Sequence, residues 1–109
     1  MVFCQGEIVS FDFSPSVGSE PTKRRPALVV SSNEFNSQTS MTLVCPITST
    51  NNGFPLHLCL PDGLDTQGYV VVEQVRAFDL DARKAAHVEY LGKDSQFMVN
   101  VKTLIKSFI

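Results

Sequence analysis

Lys23-Arg24-Arg25-Pro26 runs directly into the apolar segment Ala27-Leu28-Val29-Val30. A proline pushes the residue before it toward an extended backbone, and proline itself is tolerated at the first residue of a strand. Arg25 is therefore expected at a strand entrance, with its side chain held by a rigid element. A guanidinium is permanently charged, and its planar fork of donors suits phosphate. Taken alone, the segment is better read as three solvated loop charges that guard a strand edge.

Two further residues could join such chemistry. Glu73 follows Tyr69-Val70-Val71-Val72 and precedes Gln74-Val75. A carboxylate there is partly desolvated, which raises its pKa unless a cation holds it ionised. It can shuttle a proton, or it can pair with Arg76 or Arg83 to orient the strand end; the two readings are even. Thr48 ends the run Cys45-Pro46-Ile47-Thr48-Ser49, where a hydroxyl can donate to an anionic oxygen, although threonine is also simply a good strand residue. His57 lies between Leu56 and Leu58 and reads as an outward-facing surface histidine, as does His87. Acid–base groups are thus not expected to be histidines. GxSxG, HExxH and glycine-rich phosphate loops are absent from the sequence.

The elements that must position these residues are short. Glu7–Phe13 alternates as a strand with Val9, Phe11 and Phe13 on its core face. Ser14–Thr22 holds two prolines, a glycine and three serines and reads as a loop. Strands follow at Arg25–Ser32, Met41–Thr48, Phe54–Leu60 and Tyr69–Val75, with a sixth around Ala85–Tyr90. Asn33–Ser40 has room for one helical turn. Phe97, Met98, Val101, Leu104, Ile105 and Phe108 form one helical stripe, N-capped by Asp94 or Ser95. Five or six strands closed by one helix predict a mainly β chain with a C-terminal helix, in a small curled sheet or barrel. Either that barrel closes or a partner covers its edge.

The 109 residues are expected to form one domain, residues 1–109, that buries about 65% of its unfolded surface. Nine Lys and Arg against eleven Asp and Glu give a net charge of −2, which argues against a non-specific nucleic-acid coat protein. An enzyme that meets a polyanion through one local basic patch is compatible with that balance. Apolar runs fall far short of the ~20 residues of a membrane span, and Met1-Val2-Phe3-Cys4-Gln5-Gly6-Glu7 does not resemble a signal peptide. A cytoplasmic protein is expected. Cys4, Cys45 and Cys59 show no metal-binding or disulfide spacing, and the last two read as small core hydrophobes.

Together the segments resemble the MazF/PemK (Kid) family, RNA-cutting toxins of bacterial type II toxin–antitoxin modules. The likeness rests on Gly6-Glu7-Ile8-Val9, Asp12-Phe13 with Gly18-Ser19-Glu20, Arg24-Arg25-Pro26-Ala27-Leu28-Val29-Val30-Ser31, Pro46-Ile47-Thr48, and Glu73-Gln74-Val75-Arg76 followed by Asp79. Their order and spacing make it specific. It departs from the family at Ser14 and Pro21, in a loop that bears on the cleavage sequence.

The resemblance implies an α+β fold, a small SH3-like barrel of the MazF/PemK/CcdB type, working as a homodimer. It implies sequence-preferring, metal-independent cleavage of single-stranded RNA without a cofactor, and inhibition by a cognate antitoxin. Arg25 and Thr48 match the family's main catalytic residues, and Glu73 matches an acidic position whose role varies. Glu20, Lys23, Arg24, Gln74 and Arg76 become candidate RNA contacts. The implied reaction is attack of a ribose 2′-hydroxyl on the adjacent phosphate, with Arg25 stabilising the developing charge and either Glu73 or Glu20 as base. A non-catalytic gyrase-binding toxin of the CcdB kind and an inactive dimeric binding module are the competing expectations.

Overall fold

Strand β1 (Glu7–Asp12) is buried on both faces: Ile8 and Val9, which point in opposite directions, are each fully buried. Such a strand needs cover on both sides, and the rest of the chain supplies it. The computed structural model describes residues 2–13 and 24–109. It continues with β2 (Arg24–Val29), α1 (Asn33–Gln38), β3 (Thr42–Thr48), β4 (His57–Cys59) and β5 (Tyr69–Val71). A 3₁₀ turn (Val72–Gln74), β6 (Arg76–Phe78), β7 (Ala86–Tyr90) and α2 (Gln96–Ser107) complete it. The expected loop Ser14–Thr22, with Glu20 and Lys23, lies outside the described residues.

Among the described residues all the strand pairings are antiparallel, in the order β4-β5-β3-β2-β1-β7, with β6 also on β3. One face packs Ile8, Leu28, Cys45, Val70 and Val72 against Met98 and Val101 of α2. The other gathers Val9, Phe11, Ala27, Val29, Val44, Phe78 and Leu80. Each fully buried Val, Leu, Ile, Phe or Met side chain among these contributes roughly 1.5–3 kcal/mol. Ser95 caps α2 by accepting from the Met98 N–H at 3.2 Å. This mostly antiparallel, curled sheet with one C-terminal helix is the architecture expected. Among the described residues, no helix is long and apolar enough to cross a membrane.

Three expectations need correction. The predicted strand Tyr69–Val75 breaks after Val71, where the chain winds into the 3₁₀ turn before re-entering the sheet as β6. Ile47 and Thr48 pair with β5 while Thr42–Val44 pair with β6, so both segments share one edge of β3. The fourth strand begins only at His57. Cys59 is exposed rather than core, because its side chain falls on the face that α2 does not cover; Cys45 is buried as expected.

Candidate active site

The β2–β3 register sets Ala27 opposite Pro46. Continued by two residues, it brings Arg25 opposite Thr48. In the neighbouring row His57 pairs with Val71. Period-two alternation puts Arg25, Thr48, Val71 and His57 on one face of the sheet. There they line a cleft of about 580 Å³, together with Gln74, Gln67 and Asn52.

Each side chain arrives by a separate local cause. Arg25 is the second residue of β2, exposed, and Pro26 follows it within the strand. Thr48 is the last residue of β3. Its hydroxyl oxygen accepts from the Thr50 N–H at 3.2 Å, so the hydroxyl hydrogen is left to donate into the cleft. Behind Thr48 the chain passes at Gly68 (φ 131°), where a Cβ would sit 2.4 Å from the Thr48 carbonyl oxygen. Only glycine fits that approach.

Glu73 occupies the 3₁₀ turn and is exposed. Its Oε2 lies 2.9 Å from His57 Nε2, and the His57 side chain is only 11% exposed. His57 is thus not the outward-facing surface residue expected from the alternation. The face of β4 that points away from the α2 core turns into the cleft, not into open solvent. Phe54 packs edge-on against the imidazole, ring centroids 5.2 Å apart. The hydrogen bond to the carboxylate assigns the hydrogen to Nε2, leaving Nδ1 as a buried acceptor with no hydrogen-bond partner. The Val72 N–H donates to the Leu56 carbonyl at 3.1 Å, binding the turn to the residue before His57. Beneath, burial and then the charge of Glu73 push the Cys45 thiol up to about 12. Sequence reasoning missed the histidine because its partner is sixteen residues away and is reached only through the β4–β5 pairing. His87, expected at the surface, is largely exposed and meets Glu7 at 2.8 Å.

The other candidate arginines among the described residues are engaged elsewhere. Arg24 donates to the carbonyls of Ser10 and Lys84, tying β2 to β1 and to the turn before β7. Arg76 and Arg83 flank the Phe78 ring at 4.5 and 5.2 Å, and Arg83 also donates to the Asp12 carbonyl at 3.0 Å. Arg25, Thr48 and Gln74 therefore come together in the cleft, with Glu73 behind His57, whereas Arg24 and Arg76 do not line it. Among the described residues, no three His, Cys, Asp or Glu side chains are grouped to hold a metal ion.

A curled antiparallel sheet thus sets an arginine and a threonine opposite each other at one cleft. The sequence profile of the PemK-like, MazF-like toxins of type II toxin–antitoxin systems matches residues 4–109, and the chain belongs to that family. It is similar to the endoribonuclease toxin ChpB of Escherichia coli K12, 45% identical over 92 residues that cover 79% of this chain and 78% of that protein. It is also similar to the endoribonuclease toxin MazF of the same strain, 35% identical over 97 residues, 89% of this chain and 86% of the other. Among solved structures, MazF of Deinococcus radiodurans aligns with a TM-score of 0.83 at 31% identity, over 99% of this chain and 96% of that one. A MazE–MazF complex from the same organism aligns over the same shares with a TM-score of 0.85, also at 31% identity.

Proposed function

We propose that this chain, acting as one unit over residues 1–109, is a sequence-preferring endoribonuclease toxin that cuts single-stranded RNA in the bacterial cytoplasm. The observation that carries this reading is the juxtaposition of Arg25 and Thr48 across β2 and β3 at the mouth of one cleft. Unpaired RNA suits such a site, since its bases and backbone are open to side chains.

In the reaction, the 2′-oxygen forms a bond to the adjacent phosphorus and the bond to the 5′-oxygen breaks. The products are a 2′,3′-cyclic phosphate and a 5′-hydroxyl, so the proton lost by the 2′-hydroxyl is matched by one gained at the 5′-oxygen. The nucleophile belongs to the substrate, and no activated water is required. Arg25 holds the phosphate and stabilises the charge that develops on it; one such preorganised donor is worth about 10²–10³ in rate. The Thr48 hydroxyl supplies a second donor. Among the described side chains lining the cleft, His57 is the one imidazole, a group that can both accept and donate a proton. The His57–Glu73 pair therefore handles protons, with Glu73 fixing the tautomer. Gln74, Lys23 and Glu20 remain candidate RNA contacts.

A homodimer restrained by an antitoxin accompanies this reading; it is supported by the Deinococcus MazE–MazF complexes, whose toxin chain matches this one along nearly its full length. The test is cleavage of RNA in EDTA by the purified protein beside Arg25→Ala, with product ends identified. The expected outcome is 5′-hydroxyl ends and a loss of at least about 10²-fold in the variant. Equal cleavage by both proteins would remove Arg25 from the site. No cleavage of any RNA by the folded protein would favour gyrase binding or simple binding instead.

A further inference from the structure

The register that faces Arg25 with Thr48 continues across the sheet. Thr48 pairs with Tyr69, and Tyr69 pairs with Cys59. Side chains at directly paired positions share a face with Cβ atoms about 5 Å apart, so Tyr69 stands beside the Thr48 hydroxyl. Tyr69 also walls a second recess of about 490 Å³, with Cys59, Asp62 and Thr66. Ser49 and Gln67 line both this recess and the Arg25–Thr48 cleft, so the two lie side by side.

The wall of this recess is tied at both ends. On one side Gly68 lies against the Thr48 carbonyl, and its own carbonyl accepts from the Leu60 N–H at 2.9 Å. On the other, the Glu89 carboxylate of β7 accepts from the Asp65 N–H at 3.1 Å and the Thr66 N–H at 2.6 Å. Among the described lining residues there is no lysine or arginine, and Asp62 is the charged group. A phosphate is disfavoured there. A neutral, planar group with a hydrogen-bonding edge fits, because it can lie on an aromatic ring while its edge meets amide and hydroxyl groups.

We propose that Tyr69 is the stacking platform of a base-reading subsite: the nucleobase flanking the phosphate held by Arg25 and Thr48 enters the recess and lies on the Tyr69 ring. Its edge meets Gln67 and Ser49. The proposal rests on the endoribonuclease reading and adds to it the residue that selects which RNA is cut.

The chain has two tyrosines and no tryptophan. Tyr90, whose hydroxyl accepts from the Lys93 N–H at 3.2 Å, lines neither cavity. Tyr90→Phe thus leaves Tyr69 as the single tyrosine emitter. The preferred sequence is first found from cleavage of randomised RNA. An oligonucleotide of that sequence, with 2′-deoxyribose at the cut so that it stays intact, is then titrated onto the Tyr90→Phe protein. Saturable quenching of Tyr69 emission is expected. Tyr69→Leu, which suits a strand, should raise KM for the preferred RNA about 5–150-fold and flatten base preference at one position beside the cut. Its kcat at saturation should be unchanged, and Tyr69→Phe should keep the preference. If RNA is bound and cut while Tyr69 emission stays constant and Tyr69→Leu keeps every base preference, the subsite is overturned and the nuclease reading stands. If the wild-type protein neither binds nor cuts any RNA, both fall.

Discussion

His57 Nε2 and Glu73 Oε2 meet at 2.9 Å, joining the first residue of β4 to the 3₁₀ turn that follows β5. The contact holds the imidazole where it packs edge-on against Phe54. Replacing His57 with phenylalanine keeps a ring beside Phe54 and removes the nitrogens. The expected result is a fall in kcat of about 10²-fold or more. The unfolding midpoint should move little. Wild-type turnover in this variant would reduce His57 to a packing residue.

Gly68 tests how closely the site depends on its backbone. Alanine there would adopt φ 131° and drive its Cβ to 2.4 Å from the Thr48 carbonyl oxygen. Gly63 has φ 93° but nothing within 4 Å of a new Cβ. Gly63→Ala should cost about 1 kcal/mol, from backbone strain alone. Gly68→Ala should cost more than that and depress cleavage as Thr48 shifts. Urea unfolding of the two variants, run beside cleavage assays, makes the comparison, and equal losses would mean that the close approach is not maintained in solution.

The cysteines divide by reactivity. Cys4 and Cys59 are exposed, whereas Cys45 is buried with its thiol pushed up to about 12, first by burial and then by Glu73. The thiolate is the reactive form. At pH 8 a disulfide reagent should therefore modify two of the three thiols, and the third only on unfolding. Because Cys59 borders the Tyr69 recess, bound RNA should slow its modification and leave Cys4 unaffected. Rapid modification of Cys45 in the folded protein would contradict its burial.

Glu89 gives the recess an acid limit. Hydrogen bonds from the Thr66 side chain, with those from the Thr66 and Asp65 backbone, hold its carboxyl below the usual carboxylate range, and His87 adds to this. A depressed carboxylate supports the fold fully above its unfolded value of about 4.3, and that support fades as pH falls through the lower folded value. Protection of the Asp65 and Thr66 amides against hydrogen exchange, corrected for intrinsic rates, should thus be constant from neutrality to mild acid and fall below it. Glu89→Gln should lower protection at neutral pH and remove the acid step. An unchanged step in that variant would assign it to another carboxylate.

Local anchoring put Arg25 and Thr48 at strand ends in the sequence, one by the proline after it and the other by the end of an apolar run, but only the family resemblance raised them to site candidates. The C-terminal helix was equally legible, since its stripe is a property of consecutive turns. What the sequence did not carry depends on strands meeting from a distance. His57 looks like any alternating polar residue until the β4–β5 pairing delivers its partner. Arg24 looks as available as Arg25, yet it is taken up by two backbone carbonyls. The break after Val71 was hidden because Tyr69–Val72 is apolar throughout: Val72 is buried whether it continues a strand or starts a turn. Cys59 looked like core for the same reason, since an apolar neighbourhood in sequence does not say which face α2 will cover.

The interruption between β5 and β6 also bears on how such a site can diversify. One ladder ends at Val71 and the next begins at Arg76, so Glu73 and Gln74 belong to neither. Val72 is fastened by burial and by its N–H to Leu56, and Glu73 by the hydrogen bond of its carboxylate to His57. Gln74, which lines the cleft, can therefore be exchanged for other residues without a strand losing its partner, which makes the turn a point where new specificities can be tried on an unaltered frame.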